Sequence, residues 1–125
     1  MTPGAPHLQA WFDILDSADP DRVLRMISDD FQMAVVFSRG EGATAEFNGD
    51  RAGLVAYLAQ RERGALKHHV LVGAADAHHE LVLGRVTRDG AFEASFNASA
   101  MLDGRRLLRR LLICRTPELA FPDPD

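Results

Sequence analysis

The chain has 125 residues, 46% hydrophobic and 26% charged, with a net charge of −4. That length suffices for one domain with its own core, and that charge gives no electrostatic reason to expect nucleic acid. No apolar run reaches the roughly 20 residues of a membrane helix, the opening residues lack the basic start and apolar block of a signal peptide, and the single cysteine, Cys114, excludes an internal disulfide, so a cytoplasmic location is expected.

In chain order, residues 1–6 form a Pro/Gly lead expected to fray, as is the tail from 117 to 125, leaving one domain over residues 1–125. Leu8, Trp11, Phe12 and Leu15 follow at i, i+3, i+4 and i+7, which predicts a helix with one apolar stripe. Asp19 and Pro20 suit the cap and first turn of a second, short helix whose buried side is Val23, Leu24 and Ile27, with Asp29-Asp30 stopping it. Phe31, Met33, Val35 and Phe37 alternate with smaller or polar residues and predict a strand, and Ala43–Phe47 a short second one. A third helix, capped by Asn48, buries Leu54, Tyr57 and Leu58, and Gly64 is placed to end it.

The stretch from Lys67 to Arg115 reads as four strands. Lys67–Ala75, His79–Thr87, Ala91–Leu102 and Arg105–Arg115 are separated by Asp76-Ala77, Arg88-Asp89-Gly90 and Asp103-Gly104. Asp-Gly between alternating apolar runs signals a hairpin, because both residues tolerate the positive φ of a tight turn. The result is an α+β domain in which three helices from the N-terminal half cover a curved antiparallel sheet. The last strand is apolar on both sides. Leu107, Leu111 and Ile113 alternate with Leu108, Leu112 and Cys114, so a second copy of the sheet is expected to cover the side turned away from the helices, giving a homodimer.

Several pieces in this order resemble the nuclear transport factor 2-like superfamily, and within it the SnoaL-like group. They are Trp11–Asp19, Ile27–Phe31, Phe47–Arg51 followed by Leu54–Leu58, Lys67–Val70, and Leu102–Arg105, and together they span about residues 7–115. The resemblance implies a cone-shaped sheet wrapped by helices, with a pocket at its open end and frequent dimerisation. It implies a small apolar or polycyclic ligand, with Trp11, Leu15, Phe31, Val35 and Tyr57 on the pocket wall and Asn97 reaching in or lying in the dimer contact. The superfamily hosts isomerases, dehydratases, cyclases and non-catalytic binders, so the fold does not fix the chemistry.

The ketosteroid isomerase pattern does not fit. Its carboxylate base and two enolate donors would fall near Val35, Trp11 and Ala98, and neither Val nor Ala can replace an acid. The dehydratase pattern pairs an Asp at the end of the first helix with a His on a mid-sheet strand. Asp16 matches the first and either His68 or His69 the second, although Leu15 stands where those enzymes carry a tyrosine. Adjacent strand residues point to opposite faces, so only one of the two histidines can enter the cone. A carboxylate on one imidazole nitrogen fixes the tautomer and frees the other nitrogen to act as a base. The resemblance thus implies cofactor-free lyase, isomerase or cyclase chemistry without a metal. The alternative is a non-catalytic binding or dimeric scaffold domain. In plainer roles Asp16 is a helix-end acid, His78 and His79 are solvated turn residues, and Cys114 is a small buried residue.

Overall fold

The structure is a computed structural model that describes residues 4–61 and 64–123. Helix α1 (Pro6–Leu15) leads into a 3-10 helix (Pro20–Met26), strands β1 (Ile27–Gly40) and β2 (Ala43–Gly49), and helix α2 (Arg51–Gln60). Strands β3 (Leu66–Ala75), β4 (His79–Arg88), β5 (Ala91–Leu102) and β6 (Leu108–Thr116) complete the chain. The six strands form one open, curved sheet in the order β2-β1-β6-β5-β4-β3. The domain is α+β, as expected, but the sheet is mixed. β1 and β6 run parallel, with Val35 opposite Ile113, while every other neighbour is antiparallel.

The stripe read from α1 is the buried one. Leu8, Trp11, Phe12 and Leu15 pack against Phe31, Met33 and Val35 of β1 and Phe96 and Ala98 of β5 in a single core. Each such side chain contributes roughly 1.5–3 kcal/mol by leaving water. Ala5, the residue before α1, offers the helix no side-chain cap. Glu80 of β4 supplies one from across the fold: its carboxylate accepts from the backbone N–H of His7 at 3.1 Å and of Leu8 at 2.8 Å. Residues 1–3 of the lead lie outside the described residues, and from residue 4 the chain is in contact with the sheet. Ala5 is buried, and a Cβ on Gly4 would run into the Gly73 carbonyl at 2.0 Å.

Other local departures have visible causes. The second helix is 3-10 rather than α, and Asp29-Asp30 continues directly as β1, which begins at Ile27. Asp50, not Asn48, caps α2, through its carboxylate and the Gly53 N–H. α2 ends at Gln60, four residues before Gly64. The Asp89-Gly90 turn has both residues at positive φ, 52° and 83°, as a two-residue hairpin requires. The turn at Asp103-Gly104 is longer. There Arg106 takes the positive φ, and the Asp103 carboxylate gathers the N–H groups of Arg105 and Leu107, so β6 starts only at Leu108. The tail crosses the outer face. Glu118 accepts from Ser38, and Arg85 holds the Phe121 carbonyl and the Asp123 carboxylate. Among the described residues, no helix is long and apolar enough to cross a membrane.

Candidate active site

The last turn of α1, the exit of α2 and the start of β3 meet at the rim of the sheet. Asp16 is the residue that ends α1, with its own N–H still bonded to the Phe12 carbonyl. A carboxylate there faces the negative end of the helix dipole, which is the unfavourable end for an anion. The arrangement is offset by Arg61, which ends α2. Its guanidinium donates to the Leu15 carbonyl at 3.0 Å and approaches Asp16 Oδ1 at 3.4 Å. Asp16 thus caps α1 through its backbone alone, and its carboxylate is free for other partners. Both of its oxygens instead turn to His68: Oδ1 lies 2.9 Å from ring Nδ1, and Oδ2 accepts the backbone N–H.

His68 is the histidine that enters the fold. Its side chain is 8% exposed, stacked on Phe12 with centroids 4.8 Å apart and edge-on to Phe96 at 5.3 Å. Burial pulls its pKa below the ordinary 6.5. The hydrogen bond and charge of Asp16 work against that shift, while the charges of Arg61 and Arg115 reinforce it. Burial and the two arginines thus favour the neutral ring. A carboxylate only accepts, so the ring proton sits on Nδ1 and Nε2 carries the free lone pair. Among the described residues, no side chain or backbone group bonds Nε2.

His69 lies on the opposite face of β3, with Nε2 2.9 Å from the Thr87 hydroxyl. A cleft of about 660 Å³ opens over this region, lined by Asp13, Asp16, His68, His69 and Thr87 together with the Asp89-Gly90 turn.

The residues expected on the pocket wall lie elsewhere. Trp11, Leu15, Phe31 and Val35 are all core residues, 4% exposed or less, and none lines that cleft. Tyr57 is half-buried against Phe47, with ring centroids 5.0 Å apart. Asn97 does not reach into the cone, which leaves its other expected place, the dimer contact. It is exposed on the outer face of β5, because Phe96 and Ala98 on either side of it take the buried positions. His78 and His79 are exposed, with His79 Nδ1 on the Asp76 carboxylate. No group of three or more His, Cys, Asp or Glu among the described residues is arranged to hold a metal ion.

The sequence reading did not single out Arg61, Phe12, Phe96 or Arg115 for the site. Arg115 alone left a readable signal. It continues the parity of Leu111 and Ile113, so a charge stands on the side of β6 that should be apolar. The structure places it opposite Phe96 on one neighbour and Phe37 on the other.

No protein-family profile matches the sequence, and no curated protein matches it. The fold matches many solved structures. A SnoaL-like family protein from Agrobacterium tumefaciens, assigned provisionally as an isomerase, superposes with a TM-score of 0.67 at 11% identity, covering 88% of this chain and 94% of that one. A provisional polyketide cyclase from Sinorhizobium meliloti gives 0.60 at 18% identity over 86% and 93%. A provisional ketosteroid isomerase from Kribbella flavida gives 0.60 at 15% identity over 98% and 83%. The molecule therefore has the nuclear transport factor 2-like fold.

Proposed function

We propose that this is a small-molecule enzyme of the isomerase, lyase or cyclase kind, with neutral His68 as the general base and Asp16 as the group that orients it. One observation carries the proposal: the two-point grip of Asp16 on the ring and backbone of His68. A grip of that kind fixes the ring's rotation and its tautomer together. Among the described residues it leaves Nε2 without a partner, as proton abstraction requires. The provisional isomerase and cyclase assignments of the structural neighbours support the class and do not name the substrate.

The test uses a panel of polycyclic β-hydroxy ketones in deuterated buffer, following α-proton exchange and water loss by NMR. Wild-type protein is expected to accelerate one or both, and His68→Gln to remove about 10²–10⁴-fold of that acceleration. Equal acceleration by His68→Gln and wild type would refute the role.

The outer face supports a second element of the proposal, a homodimer. Leu81, Met101 and Leu112 are 55%, 37% and 45% exposed, and they line one apolar groove of about 1020 Å³. A contiguous patch of this kind favours a like surface across a two-fold axis. Leu112→Glu is expected to shift the mass seen by light scattering from two chains to one. Wild-type protein that stays monomeric at high concentration would refute it. The closed packing around Trp11 and Phe31 favours a rival reading, a dimeric scaffold without turnover. That reading requires the exchange assay to be blank.

A further inference from the structure

We propose that the inner rim of the sheet holds a carboxylate-binding subsite centred on Arg115, so that the molecule acted on at His68 is an organic acid. This rests on the acid–base reading above and adds the substrate class to it. The register brings the parts together. Phe96 stands opposite Arg115 across β5 and β6, and Phe37 stands opposite Arg115 across β1 and β6. Directly opposed residues keep their side chains within about 5 Å at Cβ. The Phe96 ring, itself only 3% exposed, also touches the His68 ring, so a buried aromatic contact links the neighbour of the guanidinium to the imidazole. A carboxylate on Arg115 would sit at the edge of the aromatic cluster that packs on His68.

Arg115 has donors to spare for such a guest. A guanidinium carries five N–H donors, and among the described residues Arg115 uses one, toward Glu93 at a long 3.3 Å. Glu93 is held tightly by Arg88, at 2.7 Å, and only loosely by Arg115. Its pKa is lowered, chiefly by the Arg88 hydrogen bond and secondarily by the charges of Arg88 and Arg115. The Phe37 ring is flanked by two cations, the guanidiniums of Arg39 and Arg115, each 5.5 Å from its centre. Cations gathered around a half-buried aromatic ring suit an aryl or polycyclic carboxylate, with the ring on the apolar surface and the acid in the guanidinium fork. Glu93 occupies that fork in the ligand's place and competes with it.

The full chain is titrated by calorimetry with 1-naphthoate and with 1-naphthamide, its neutral counterpart. Naphthoate is expected to bind about 10-fold or more tightly. Arg115→Gln should bring the two affinities within about twofold, and Glu93→Gln, which removes the competing charge, should widen the gap. Equal affinities in the wild type, a preference that survives Arg115→Gln, or a preference weakened by Glu93→Gln overturns the proposal. Should Arg115→Gln fail to fold, Glu93→Gln decides alone. His68→Gln keeps the two ideas apart: the naphthoate preference is expected to persist there. A blank exchange assay on the wild type would end the catalytic reading and leave this preference standing.

Discussion

Glu80 offers the sharpest test of how the fold holds its site. It is a carboxylate 1% exposed, set in β4, with three donors converging on it. The N–H groups of His7 and Leu8 lie at 3.1 and 2.8 Å, and His7 Nδ1 lies at 2.6 Å. The two backbone groups are orphans of the first turn of α1, which has no side-chain cap of its own. Glu80→Ala leaves both without an acceptor, and Leu8 is fully buried. A buried donor stripped of its partner costs about 1–3 kcal/mol. Two such donors put the expected total at about 3–5 kcal/mol, against a stability of roughly 5–15 kcal/mol for a domain. Glu80→Gln keeps one carbonyl oxygen and one of the two backbone bonds, and should cost about half as much.

The assay is thermal unfolding followed by circular dichroism. At this size about 1 kcal/mol moves Tm by roughly 3–5 °C, so Glu80→Ala should fall by about 10–20 °C and Glu80→Gln by about half of that. A drop of less than about 3 °C for the alanine variant would show that water replaces the carboxylate at no cost, and the cross-fold cap would then not matter to stability. The effect should also reach the site, because α1 carries both Phe12, which stacks on His68, and Asp16, which grips it. In the glutamine variant the His68 ring resonances should broaden or shift before global unfolding begins.

His68 should titrate below 6.5 by NMR of its ring, and Asp16→Asn should push the midpoint lower still, since Asp16 is what raises it. A midpoint at or above 6.5 would mean that the Asp16 contacts outweigh the burial of the ring. The sign for stability follows: the unfolded chain binds this proton more readily than the folded one. The group therefore leaves stability untouched above 6.5 and erodes it as pH falls from there through the folded value. Catalysis by the neutral base should accordingly be flat through neutral pH and fail only on the acid side, in that same window. Gly84→Ala should destabilise by about 1–3 kcal/mol, as overpacking does. Its Cβ would meet the Phe96 ring and the His69 carbonyl, each at 2.5 Å, and the displaced Phe96 should move the His68 midpoint as well. Unchanged melting and an unchanged midpoint would show that Phe96 does not position the histidine.

How much of this was legible depended on whether a feature is local. The stripe of α1 and the Asp89-Gly90 turn follow from spacing and from the φ that two residues tolerate, and both stand as read. The parallel pairing of β1 with β6 was not legible, because it joins residues about 80 apart and no turn sequence marks it. The trans cap from Glu80 has the same character: it lies 72 residues from the N–H it serves. At the site, Asp16 and His68 were named but their partnership was left open between two histidines, since alternation says that one points inward without saying which. The expected pocket wall is a different case. Trp11, Leu15, Phe31 and Val35 carry the periodicity of buried residues, and periodicity is the same for a side chain that lines a hollow and one that fills it. Arg115 broke a local rule in plain view, as a charge in phase with Leu111 and Ile113, just as Glu80 did in phase with Val82 and Val86. Arg115 is also the residue to which the proposed substrate acid is assigned. An inward charge costs a small domain stability unless something offsets it. Glu93, at 3.3 Å, offsets it loosely here. A loosely matched cation beside a neutral, pre-aimed base is what binding and proton abstraction of an organic acid together would need.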